Sequence, residues 1–187
     1  MIMNGILCNI ASLYEKDGLQ VFSTYFKNGT WPWIGNGYLE AVIIAVGMAL
    51  IGLIVFYVGI GNLSFKWSKV STWVIVGLAA CGLTFAAYDI NTGMTPGCGY
   101  GLQKTLDEQF KKFTQGLDRE TAQYKEYEAA KRSYKTHFKA GVFSVKPVLV
   151  LCILSSLLTM VLYAAVSFIR PVRRLFKNKY AQNIPIK

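Results

Sequence analysis

His137 is the only histidine in the chain, and it closes the run Arg132-Ser-Tyr-Lys-Thr-His137. A single imidazole leaves no second ligand for a metal ion and no partner for a hydrolytic triad. The four cysteines, Cys8, Cys81, Cys98 and Cys152, form no C-x-x-C pair, so zinc and thioredoxin-like sites have no support. The glycine-rich run at 91–101 lacks the Gly-Lys-Ser/Thr of a phosphate loop and reads as a plain loop. Glu40 and Asp89 stand at the ends of long apolar runs, where solvated rim residues are the expectation. Ser155, Ser156 and Thr159 lie inside another such run, where hydroxyls bond back to their own helix. These residues point away from an enzyme, and no cofactor or metal is expected.

One spacing has a chemical counterpart. Arg132 and His137, in an Arg-x4-His pattern, resemble the motif of HEPN-type ribonucleases, where the two residues meet across a dimer. Divergent forms occur in small membrane accessory proteins of bacterial phage defence, and the resemblance implies such a role with Arg132 and His137 as its pair. It covers six residues. A HEPN domain also needs a soluble four-helix bundle, and the surrounding region has room for one or two helices.

The elements that must position any site are set by charge. Residues 41–61, 70–88 and 147–169 contain no Asp, Glu, Lys, Arg or His. Each run is long enough for a helix to cross about 30 Å of hydrocarbon at about 1.5 Å per residue. Only 16% of the 187 residues are charged, against about 25% in an average soluble domain, which a bilayer accommodates more easily than a small soluble core. The expected fold is an all-α integral membrane protein with three transmembrane helices, a tight hairpin plus a third span, and a helical extramembrane region.

Five segments follow: an amphipathic N-terminal segment at 1–37, a transmembrane hairpin at 38–89, an extramembrane loop at 90–146, a third span at 147–169 and a basic tail at 170–187. A conventional secretory signal is not the expectation for residues 1–18, because a basic leader is missing and Asn4 and Asn9 break the apolar stretch. In the first segment Ile6, Ile10, Leu13 and Tyr14, then Leu19, Phe22, Tyr25 and Phe26, recur at helical spacing. Trp31 and Trp33 before the first span, Trp67 in the hairpin turn, and Arg173 and Arg174 after the third span are expected at the headgroup region. Ala41, Ala45 and Ala49 form a small-residue face suited to close helix packing.

In the loop, Leu102, Leu106, Phe110, Phe113 and Leu117, continued by Tyr124, Tyr127, Tyr134 and Phe138, predict one long amphipathic helix or a pair broken at Gly116-Leu117-Asp118, with Asp118 as N-cap. Phe110, Phe113, Tyr124, Tyr127 and Tyr134 are the candidate interaction stripe. It requires cover from residues 1–37, from a second copy or from a partner. Cys8 and Cys98 would face one compartment, where a disulfide and two separate thiols are equally compatible with the sequence.

The net charge of +10 is uneven: the hairpin turn and tail together hold eight Lys/Arg and no acid. Density at the span ends places the C-terminus in the cytoplasm, and a tail following a span suits anionic lipid rather than nucleic acid. The expected localisation is a bacterial inner membrane. The expected partners are the bilayer and other envelope proteins, or the chain itself, and the function is docking or scaffolding in a secretion, conjugation or exclusion assembly. A homo-oligomeric, holin-like pore is the alternative.

Overall fold

The computed structural model describes residues 15, 19–29, 34, 36–60, 63, 69–92, 101–140 and 145–169. Among them every regular element is a helix. In chain order these are α1 (Val21–Asn28), α2 (Gly37–Ile54, continued as a π-helix over Val55–Ile60), α3 (Val70–Thr92), α4 (Gly101–Thr114), α5 (Ala122–Lys139) and α6 (Lys146–Phe168). Three of them, Gly37–Ile60, Val70–Thr92 and Lys146–Phe168, are long and apolar enough to cross a membrane. Their bounds lie close to the uncharged runs, except that α2 starts at Gly37, before Ala41, and α3 runs on past Tyr88 to Thr92. Pro147 falls in the first turn of α6, where a missing N–H costs nothing.

The described residues up to 41 and from 88 to 151 form one compact unit, and 42–87 with those from 152 onward form a second. The first unit contains α1, α4 and α5. The α1 helix buries Val21, Phe22, Tyr25 and Phe26 and packs on α4, which packs in turn on α5. The Gln109 side-chain amide donates to Thr24 Oγ1 at 3.3 Å across the first of these contacts.

The break in the loop falls where the glycine permits it. Gly116 has φ +88°, a left-handed conformation that ends a helix readily when no Cβ is present. The loop is therefore a helix pair. Asp118 is not the cap of the second helix. That helix starts at Ala122, three residues later than a cap at Asp118 implies, and the Asp118 carbonyl instead accepts the Thr121 N–H at 3.1 Å and the Thr121 hydroxyl. Residues 118–121 form a turn of their own, which moves the helix start beyond the reach of the Asp118 carboxylate.

The second unit has its polar atoms inside. Thr84 Oγ1 and Thr159 Oγ1 lie 2.8 Å apart, and Thr159 Oγ1 also donates to the Ala45 carbonyl at 3.4 Å. Ser156 Oγ donates to the Cys81 carbonyl at 3.2 Å, Trp73 Nε1 to Ser167 Oγ at 3.1 Å, and Tyr163 Oη to the Trp73 carbonyl at 3.1 Å. Ser156 and Thr159, expected to bond back to their own helix, thus also tie helices together, while the Ser155 hydroxyl donates to the Cys152 carbonyl of its own helix. Tyr163 stacks on Trp73 with centroids 5.1 Å apart. Its ring fills space left by two glycines: a Cβ on Gly77 would lie 2.9 Å from it, and one on Gly52 3.4 Å. Ala45 and Ala49 are buried on α2, as is Ala41 in the other unit. Many large aliphatic side chains are exposed, among them Leu50, Ile54, Ile75, Leu78, Leu157 and Val161.

The π turn explains one local feature of this core. At about 4.4 residues per turn in place of 3.6, adjacent positions can share a face. Phe56 and Tyr57 are both fully buried and meet edge-on at 5.0 Å.

Candidate functional site

The candidate stripe divides into two parts. Phe110 meets Tyr124 edge-on at 5.9 Å, and Phe113 stacks on Tyr127 at 5.7 Å, so two aromatic rungs join α4 to α5. Lys131 closes the series: its Nζ sits 4.2 Å above the Phe110 ring and 2.8 Å from Asp107 Oδ1. Phe113 remains 37% exposed, and Phe110, Tyr124 and Tyr127 are half-buried, so the rungs present ring surface to solvent.

Tyr134 does not belong to that exposed surface. It is buried with Phe138, its ring 5.7 Å from Phe22 and its hydroxyl donating to the Leu19 carbonyl at 3.2 Å; Phe22 also meets Phe138 at 6.4 Å. Residues of the N-terminal segment therefore cover the second half of the stripe. The apolar spacing of Leu19, Phe22, Tyr25 and Phe26 announced a partner-seeking face but not which stretch of the loop it would cover.

Arg132 and His137 are both exposed on α5. Five residues of α-helix turn the chain through about 500°, so the two side chains leave the axis about 140° apart. Arg132 is held by Glu128, one turn earlier, at 2.8 Å.

Glu40 departs most from the sequence expectation. It is fully buried, not a solvated rim residue, and Asn91 Nδ2 donates to its Oε2 at 2.8 Å. Its position in the first turn of α2 sets the carboxylate against the positive end of the helix. Asn36 caps that end, its Oδ1 accepting the N–H groups of Tyr38 at 2.9 Å and Leu39 at 3.3 Å. The Tyr88 hydroxyl donates to the Gly37 carbonyl at 3.2 Å. Close approach fixes the rest. Gly29 has φ +65°, and a Cβ there would lie 2.7 Å from Glu40 Oε1; a Cβ on Gly37 would lie 2.9 Å from the Tyr25 carbonyl oxygen. Asp89 is half-buried, and the Thr92 hydroxyl donates to its carbonyl at 2.8 Å. The cluster joins the ends of α2 and α3 through a hydrogen bond to a buried carboxylate, with the end of α1 in close approach at Gly29, an arrangement suited to fixing geometry. Asn36, Tyr88 and Asn91 were not singled out by sequence. The one available signal was Asn36 directly before an apolar run, the position of a helix cap.

Cys8, Cys98, Trp31, Trp33, Trp67, Arg173 and Arg174 lie outside the described residues, as do the first apolar repeat at 6–14 and the tail. Cys152 is buried in α6 and Cys81 partly so in α3, as small apolar residues would be. No group of three or more potential metal ligands occurs among the described residues. Comparison with protein families, with curated proteins and with solved structures gives no match.

Proposed function

We propose that this chain is a non-enzymatic, multi-pass membrane protein that docks other envelope proteins, as a scaffold subunit of a secretion, conjugation or exclusion assembly in a bacterial inner membrane. The observation that supports it is the divided stripe. The chain covers Tyr134 and Phe138 with its own N-terminal helix and leaves the Phe110–Tyr124 and Phe113–Tyr127 rungs partly open. Aromatic rings at such positions supply much of the binding energy of protein interfaces. The bilayer is the other partner, nucleic acid is not one, and dense basic charge near the span ends puts the tail in the cytoplasm. A phosphatase fusion at Lys187 that reports the opposite side overturns that orientation.

A photo-crosslinking residue at Phe113 tests the docking reading in cells. It should trap one discrete protein, and Tyr127→Ala should weaken that product while leaving the chain in the membrane. Absence of any cross-linked species beyond the monomer overturns it.

The second reading, a homo-oligomeric pore, draws on Gly47 and Gly82, where a Cβ would meet nothing within 4 Å and a neighbouring helix could approach. Leakage of a membrane-impermeant dye on induced expression would favour it over docking. The ribonuclease reading predicts a lost phenotype in Arg132→Ala/His137→Ala, and an unchanged phenotype removes it.

A further inference from the structure

The end of α5 carries a charge pattern that the docking reading does not use. Between Ala129 and Leu151 the sequence has five bases, Lys131, Arg132, Lys135, Lys139 and Lys146, and no acid. On a helix, Lys131, Lys135, Lys139 and Arg132 lie about 60°, 100°, 140° and 160° around the axis from Tyr134, which faces the core. They form one flank. Arg132, Lys135 and Lys139 are exposed, as are Lys146 and, at the end of α1, Lys27. The Arg132–Glu128 pair is solvent-exposed, and such pairs hold their partners only weakly.

The helix that carries this flank is linked, through its buried face, to the start of an apolar helix. Tyr25 of α1 lies against Gly37, the first residue of α2. Three residues earlier on α1, Phe22 packs on Tyr134 and Phe138, the residues flanking Lys135 and Lys139. Lys139 is also only seven residues from Lys146, the first residue of α6, a separation of at most about 25 Å of chain. We infer that the Arg132–Lys135–Lys139 flank of α5 is a docking surface for the anionic phospholipid headgroups of the leaflet from which α2 and α6 enter. The surface rests on the membrane reading of those helices. Each basic side chain near an anionic bilayer strengthens local association about fivefold, and the effect fades within a Debye length, so salt must weaken it.

The test uses the full chain reconstituted in nanodiscs of phosphatidylcholine alone and of phosphatidylcholine mixed with phosphatidylglycerol. Acetylation rates are read by mass spectrometry at Lys135 and Lys139, with Lys112 and Lys125, beside the α4–α5 turn, as internal references. In anionic discs at low salt, Lys135 and Lys139 should react several-fold more slowly than in zwitterionic discs. The references should not change, and high salt should remove the difference. Amide exchange over 129–139 should show the same lipid dependence, lost in Lys135→Gln/Lys139→Gln. Equal rates in the two discs overturn the inference, and so does equal slowing at Lys112 and Lys125. Slowing produced in zwitterionic discs by an added oligonucleotide, and not by anionic lipid, overturns it in favour of nucleic acid. Loss of the protein from the discs on alkaline washing refutes the membrane reading itself and the inference with it.

Discussion

In the unit built from α1, α4 and α5, Phe22, Tyr134 and Phe138 are buried, while Arg132, Lys135 and Lys139 are exposed. In the unit built from the long helices, Thr84, Thr159 and Ser167 are buried, while Leu78, Leu157 and Val161 are exposed. The two units divide their residues in opposite ways, the arrangement expected if the first meets water and the second hydrocarbon. In water, burying a ring gains hydrophobic free energy. Between helices in hydrocarbon that gain would be absent, and the second unit has the close packing at Gly77 and Gly52 and the inter-helix hydroxyl bonds that such a bundle needs.

Substitutions of matched kind should break or sharpen this contrast. The largest effect is expected from Phe138→Ala, which opens a cavity against Phe22 and Tyr134 and should destabilise the first unit by about 3–5 kcal/mol. Amide exchange should then accelerate across α1 and α5 while the long helices keep their protection. Next comes Leu157→Arg, at the middle of α6 on its exposed face. If that face meets lipid, insertion should cost about 2.5–3.5 kcal/mol, readable as the fraction of α6 integrated in a translocation assay. An unchanged fraction would break the comparison. Thr84→Val removes one hydroxyl of the inter-helix bond and should cost about 0.6 kcal/mol in a reversible unfolding titration in bicelles. The smallest effect is reserved for Ser133→Arg on the exposed surface of α5: within about 0.5 kcal/mol by denaturant titration, though it adds the same charge as Leu157→Arg.

The long helices were legible because their signal is local and one-dimensional. An uncharged run of sufficient length reads the same in any tertiary context, and Gly116 marked the helix break by its own conformational freedom. Glu40 was misread because its burial depends on Asn91, fifty-one residues away, and on the absence of a side chain at Gly29. Periodicity detects neither. The aromatic stripe was legible as a stripe, but its division into a covered half and an open half depends on where α1 docks. Tyr163 carries a signal that periodicity does not use: a tyrosine deep in an apolar run needs a partner for its hydroxyl, and here the Trp73 carbonyl supplies it.

The hydrogen bond from Tyr134 to the Leu19 carbonyl spans 115 residues of chain. At synthesis rates of about 5–20 residues per second, Leu19 emerges roughly 6–23 s before the tyrosine that covers it. For that interval Phe22 lacks both of its ring partners on α5, and both apolar helices of the predicted hairpin are made before those partners arrive. The first unit therefore has a built-in waiting time, during which α1 lacks the cover that would shield it from proteases. Chains arrested at Ala129 should be cut near Phe22 by limited proteolysis, and chains arrested well past Lys139 should resist. Any lesion that slows elongation between α3 and α5 lengthens this exposure without changing a single native contact.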